Sequence, residues 1–178
     1  MLGNVRLCLA VAAMCLWAPL ASAAVKSQSA NGFTVGFEAD VPGDAQNAYE
    51  KFMAIASWWN SDHTHSGDSK NLSMEARNGG CWCEALPNGG FVRHMEIVHA
   101  APGQTLVLTG DLGPLAFMGV SGAMVISFAK KGEATHVSLN YSAGGYDPKE
   151  FKEMAKAVDG VIGIQFKRYS NLVSTGKP

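Results

Sequence analysis

Two hydrophobic periods divide this chain. Between Phe33 and Tyr141 apolar residues recur mostly at every second position, in short runs closed by Gly, Pro and Asn, whereas from about Pro148 to Leu172 they recur at every third or fourth position. Phe33, Val35 and Phe37 alternate with Thr34, Gly36 and Glu38, which predicts a half-buried first strand ended by Pro42-Gly43. Asp44 is placed to cap a helix whose Ala45, Ala48, Tyr49, Phe52 and Ile55 share one face, and a second short helical turn follows around Ser57 to Asn60. After a polar loop from Ser61 to Ser69, strands are expected near 72–76, 81–86, 91–99, 105–110, 120–129 and 135–141. Turns at Asn78-Gly79-Gly80, Pro87-Asn88-Gly89-Gly90 and Lys131-Gly132 separate most of them.

The last run places Phe151, Met154, Ala155, Val158, Val161, Ile162, Gln165, Phe166, Tyr169 and Leu172 on one face of a helix roughly 35 Å long at ~1.5 Å per residue. Gly160 and Gly163 inside it cost about 1 kcal/mol each against alanine, which close backbone approach or room for a ligand would offset. The expected fold is therefore α+β: a curved antiparallel sheet of about seven strands wrapped around a long C-terminal helix, with two short helices after the first strand. Such a helix leaves an apolar space against the sheet, a frequent place for small molecules.

The first residues read as an address. Arg6 precedes an apolar run from Leu7 to Trp17, and Ala21-Ser22-Ala23 supplies small residues for signal cleavage. The alternative is an uncleaved anchor, which Pro19 and Ser22 interrupt. Leu7 and Met14 before Cys8 and Cys15 do not fit a lipoprotein signal. The expected division is a signal peptide at 1–23, a linker at 24–31, a ligand-binding domain at 32–173 and a tail at 174–178, with the mature protein periplasmic or secreted and holding no stable membrane anchor. The net charge of −1 and the scattered basic residues argue against a nucleic-acid or polyphosphate partner. Neither a cofactor nor a protein partner is evident.

The order of elements, Trp58-Trp59 after the first helix, Leu112-Gly113-Pro114-Leu115, Gly144-Gly145-Tyr146 and Val158-Asp159-Gly160-Val161 resemble the START-like or SRPBCC superfamily from about Phe33 to Leu172. More narrowly, the chain is similar to exported members labelled polyketide-cyclase-like or related to a heat-shock ATPase activator. The resemblance implies a helix-grip fold with a deep cavity. Members include lipid carriers, hormone receptors and aromatase/cyclases without a common catalytic set, so the fold alone implies no chemistry.

Candidate chemistry gathers in two places. In Cys81-Trp82-Cys83-Glu84, a turn at Pro87 to Gly90 pairs Leu86 with Phe91, sets Cys83 opposite His94 and sets Cys81 opposite Glu96. With Met74 alongside, Cys81, Cys83 and His94 form a set suited to soft metal ions. The leading reading is two buried small side chains, with a disulfide in an oxidising compartment as an alternative ahead of the metal set. A bridge between residues two apart in a strand must span about twice the 3.3 Å rise, near the upper limit for bridging. Arg93 is expected to face Glu84 on the opposite side of this hairpin, as a surface ion pair or an anion anchor. The second place is Trp58, Trp59, His63 and His65, a cavity rim in the fold that the resemblance implies. There an indole can stack on a flat ligand and a histidine can offer a proton.

No Gly-x-Ser-x-Gly elbow, phosphate-cradling loop or His-Glu-x-x-His helix is present. The leading expectation is a non-enzymatic protein holding a small hydrophobic molecule through Trp58, Trp59, His63, His65, Cys83, Arg93, His94 and Glu96. The alternatives are a cyclase, dehydratase or hydrolase using His94, His65 or Glu96 as acid or base, and soft-metal handling.

Overall fold

The computed structural model describes residues 24–146, 149 and 151–178, so the expected signal peptide at 1–23 and Pro148 lie outside the described residues. Eight strands form one antiparallel sheet: β1 (Ala24–Ser29), β2 (Gly32–Pro42), β3 (Leu72–Met74), β4 (Cys81–Ala85), β5 (Phe91–Ala101), β6 (Thr105–Gly110), β7 (Gly119–Lys131) and β8 (Ala134–Tyr146). Their order across the sheet is β1-β2-β8-β7-β6-β5-β4-β3. Between β2 and β3 lie helix α1 (Ala45–Met53) and three short 3-10 turns, and α2 (Lys152–Thr175) closes the chain. This is the helix-grip arrangement, with the sheet wrapped around α2.

Alternation explains the sheet. Along β7, Val120, Met124, Ile126 and Phe128 are buried while their neighbours are not, and β8 repeats this with Val137, Leu139 and Tyr141. The buried stripe of α2 is Ala155, Val158, Ile162, Gln165, Phe166, Tyr169 and Leu172; Met124 and Leu139 face Ile162, Gln165 and Phe166 across a narrow gap, and Phe128 packs on Tyr49 and Phe52 of α1. Asp44 caps α1 by accepting the N–H of Asn47 at 2.7 Å. Tyr169 donates its hydroxyl to the Ala48 carbonyl at 2.8 Å, tying α2 to α1 inside the core.

Three expectations change. Residues 24–29, taken as linker, form the edge strand β1 by pairing with β2, which makes eight strands rather than seven. The final helix starts at Lys152 and runs to Thr175, into the expected tail. Phe151 precedes it with a φ of 57°, buried and 5.9 Å from the Phe33 ring. A Cβ added at Gly160 would meet nothing within 4 Å, so close packing is not why glycine stands there.

Candidate ligand-binding site

One irregularity in β5 decides how the site is built. Trp82 pairs with Met95 but Cys83 pairs with Arg93, so His94 is an extra residue opposite β4. His94 and Met95 are consequently both buried, although consecutive strand residues normally point to opposite faces. Gly110 of β6, opposite Met95, accommodates this bulge. Its φ is 144°, and a Cβ there would stand 2.6 Å from the His94 carbonyl oxygen.

The bulge swings the His94 ring away from the cysteines and onto the face of Glu84. His94 Nε2 lies 2.9 Å from Glu84 Oε2. Glu84 is 1 % exposed, and it also accepts the backbone N–H of His65 at 3.2 Å and that of Ser66. Burial opposes its ionisation, but the Ser66 donors, the His65 N–H and His94 together outweigh it and hold its pKa below the ordinary value. Burial pushes the His94 pKa down more strongly than its bond to Glu84 raises it, and the nearby His65 lowers it further. A neutral His94 thus donates Nε2–H to an ionised Glu84, leaving Nδ1 as an acceptor with no hydrogen bond among the described residues. Glu84 also fastens the 61–69 loop to the sheet.

That loop forms one wall of a pocket of about 380 Å³. Trp59, His63, Thr64, His65 and His94 line one side. Leu112, Gly113 and Pro114, and then Met154, Ala157, Val158, Val161 and Ile162 of α2, line the rest. Trp59 is fixed by donating Nε1–H to the His63 carbonyl at 2.8 Å, and the His65 and His94 rings lie 5.7 Å apart. The surface is an apolar trough with imidazoles along one edge, suited to a small apolar molecule carrying a hydrogen-bonding group.

Deeper in, the space between helix and sheet is filled. Phe52, Trp58, Trp59, Trp82, Phe166 and their neighbours leave only about 10 Å³. The expected deep cavity is therefore reduced to a pocket at one end of α2.

The predicted residues separate accordingly. Trp59, His63, His65 and His94 converge on the pocket. Trp58 is core, donating Nε1–H to the Phe52 carbonyl at 3.1 Å. Cys81 and Cys83 are joined in a disulfide, with alpha carbons 5.4 Å apart rather than the expected ~6.6 Å, well within bridging range. That bond removes both thiolates from the soft-metal set, and Met74 pairs with Trp82 on the other face. No group of three metal-ligating side chains occurs among the described residues. Cys81 does pair with Glu96 as expected, but Cys83 pairs with Arg93 instead of His94. Arg93 bonds Glu96 at 3.4 Å on the exposed side, not Glu84, because the bulge rotates its register. Arg93 and Glu96 line a separate polar cleft with Thr109 and Asp111.

Sequence reasoning missed Glu84 as the buried partner of His94 and missed the pocket face of α2. The short side chains of Ala157, Val158 and Val161 on one helix face were the available signal for the latter.

No protein-family profile matches the chain. No curated protein matches it significantly in sequence either. Solved structures do match in shape. A conserved protein of unknown function from Enterococcus faecalis aligns at 13 % identity with a TM-score of 0.55, covering 89 % of this chain and 80 % of that one. A protein of the dynemicin biosynthetic locus aligns at 16 % identity with a TM-score of 0.56, over 82 % of this chain and 48 % of that one. The Aha1 dimer of Colwellia psychrerythraea aligns at 13 % identity with a TM-score of 0.57, over 82 % and 98 %. At such identities the likeness establishes the fold, an eight-stranded helix-grip domain, and nothing finer.

Proposed function

We propose that this protein is an exported binding protein, periplasmic or secreted, that holds a small, largely apolar and flat molecule in the pocket beside His94, without transforming it. One observation carries the reading: an apolar trough of about 380 Å³ edged by three histidines. In that trough a neutral His94, steadied by Glu84, presents Nδ1 as the acceptor for a ligand hydroxyl or N–H. The leader at 1–23 supports export.

Native mass spectrometry of protein purified from its exported fraction tests occupancy, and uptake of a fluorescent apolar probe tests the location. Ala157 is exposed on the pocket wall, so Ala157→Trp blocks the trough without disturbing the core. The expected result is probe uptake by the wild type and its loss in Ala157→Trp. Uptake that is absent, or unchanged by the block, sinks the reading.

A second reading is favoured by the convergence of His94 and His65, with Glu84 behind His94. His94 then acts as a general base on an acidic O–H or C–H of the bound molecule, in a cyclase, dehydratase or hydrolase. Deuterium incorporation from D2O into the captured molecule, lost in His94→Gln, supports this reading. Recovery of the molecule without carbon-bound deuterium excludes proton abstraction from a C–H by His94.

A further inference from the structure

The Cys81–Cys83 disulfide joins nothing that the sheet does not already hold. Both cysteines belong to β4, where Cys81 pairs with Glu96 and Cys83 with Arg93 of β5, and Cys83 pairs also with Ser73 of β3. A bond closing a loop of three residues removes little freedom from the unfolded chain, so stapling is a poor reason for it. Both cysteines are half-buried on the outer face of the sheet, whereas Trp82 between them is buried. Accessible, weakly constraining disulfides exchange readily, while structural ones resist reduction. The only other cysteines of the chain, Cys8 and Cys15, lie in the expected signal peptide, so a reduced pair can close again in one way only.

The surroundings of the two sulfurs differ in charge. Arg93 stands opposite Cys83 and Glu96 opposite Cys81, with 3.4 Å between guanidinium Nη1 and carboxylate Oε2. A cation beside Cys83 favours its thiolate and makes it the better leaving group. Glu96 also lines a polar cleft of about 350 Å³ that reaches over β6 to Thr109 and Asp111. Two carboxylates against one guanidinium line that cleft, so it suits a small cation. A molecule with an ammonium and a thiol on adjacent carbons spans the cross-strand separation of about 5 Å between Glu96 and Cys81.

We infer that Cys81–Cys83 is a thiol–disulfide exchange centre for low-molecular-weight aminothiols. With its ammonium on Glu96, the aminothiol's thiolate attacks Cys81 Sγ. A new S–S bond forms as the Cys81–Cys83 bond breaks, and the electron pair leaves on Cys83 Sγ beside Arg93, to be protonated from solvent. A second thiolate attacks the aminothiol sulfur of the mixed disulfide and releases Cys81. Two thiols are thereby oxidised to one disulfide, and the protein disulfide is reduced to a dithiol. The centre lies on the face opposite the pocket and does not depend on what the pocket binds.

The test follows reduction of the folded protein by 2-aminoethanethiol and by 2-mercaptoethanol. Alkylation and mass spectrometry count the thiols, and circular dichroism confirms that the fold persists. Rate constants are taken per thiolate beside those of the oxidised, blocked peptide Cys-Trp-Cys, which has the same ring without Glu96 or Arg93. The ratio of aminothiol to neutral thiol should be about threefold higher for the protein than for the peptide, the size of one exposed ion pair. Glu96→Gln should lower that ratio to the peptide's, and Arg93→Gln should slow both thiols by a similar factor. The Glu96 side chain is 43 % exposed and that of Arg93 61 %, so neither change endangers the fold. The trapped mixed disulfide should carry the aminothiol on Cys81 and the alkyl group on Cys83. Adding the aminothiol's own disulfide should restore the original bond.

A bond that yields only after the protein unfolds is a structural one and overturns the exchange centre. A ratio equal to the peptide's, or one that Glu96→Gln leaves unchanged, overturns the aminothiol site. Trapping of the aminothiol on Cys83 overturns it as well.

Discussion

The two halves of α2 meet the same sheet and do opposite things. Around Phe166 and Tyr169 the interface is filled: Tyr169 packs against Phe52 at 5.2 Å and Trp58 at 5.6 Å, and Phe166 against Phe37 at 6.0 Å. Around Ala157, Val158 and Val161 the side chains are too short to reach the Leu112-Gly113-Pro114 turn and the 61–69 loop, and a pocket remains. Backbone geometry is common to both halves, so side-chain volume decides. One half supplies stability through packed aromatic area, and the other gives up packing for a concave surface.

The harshest way to break this contrast is to empty the filled half. Tyr169→Ala removes a fully buried ring and its hydroxyl bond to Ala48, which should cost about 4 kcal/mol and lower the melting temperature by roughly 10 °C. Val161→Ala in the pocket wall should cost less than about 1 kcal/mol, because Val161 is only half-buried and borders space already. Chemical denaturation of the two variants checks the difference. Equal losses would mean that the pocket half is packed as tightly as the aromatic half.

Glu84 joins the pocket wall to the sheet, so its removal tests whether the open half is preorganised. Glu84→Gln keeps the volume but turns an amide donor towards a backbone N–H or the His94 ring, and should cost about 2 kcal/mol. The pH response follows from the two lowered pKa values. Stability from His94 is complete above its ordinary pKa of 6.5 and is lost as pH falls, because the unfolded imidazole binds a proton that the buried one resists. Stability from Glu84 is complete above 4.5 and is lost below that, as the unfolded carboxylate protonates first. Asp111 and Asp159 have raised pKa values and act in the opposite sense, so the diagnostic quantity is wild type minus variant. That difference should widen slightly as pH falls below 6.5, because Glu84 eases protonation of His94 in the wild type alone, and should shrink below 4.5 as Glu84 itself protonates, both read from melting curves. A difference independent of pH would show that the Glu84–His94 pair does not titrate with folding.

The disulfide lies on the outer face of β4, opposite the pocket side. It closes a loop of three residues, for which chain-entropy arguments allow about 1.5 kcal/mol at most. Reduction, or Cys81→Ser with Cys83→Ser, should therefore shift stability modestly and leave probe uptake unchanged. Loss of uptake on reduction would mean that the outer face holds Trp82 and the bulge in place.

Periodicity made most of the fold legible: the α2 stripe from Ala155 to Leu172 and the alternation in β2, β7 and β8 need nothing beyond burial on one face. β1 was not legible, because Ala24 to Ser29 has the composition of a linker and becomes a strand only by pairing with β2. Half of the site was readable from Trp59, His63 and His65. The Glu84–His94 pair was not, since a bulge of one residue exchanges the faces of everything beyond it. Alternation across β4 and β5 put Arg93 where His94 lies, and Gly110, the residue that permits the bulge, sits a strand away.

Gly160 gives the finest test of how the two halves of α2 differ. It sits in the small-residue half, exposed, on a face that does not line the pocket, and a Cβ there would meet no atom within 4 Å. Neither packing nor the trough requires glycine, so only the entropic cost of glycine in a helix remains. Gly160→Ala should raise stability by up to about 1 kcal/mol through the lower entropy of the unfolded chain. Probe uptake should stay at the wild-type level, because the pocket-lining residues Ala157, Val158 and Val161 keep their places. If Gly160→Ala gains stability but loses uptake, the pocket depends on looseness in this half of the helix rather than on side-chain volume alone. The contrast between the two halves would then be one of backbone mobility.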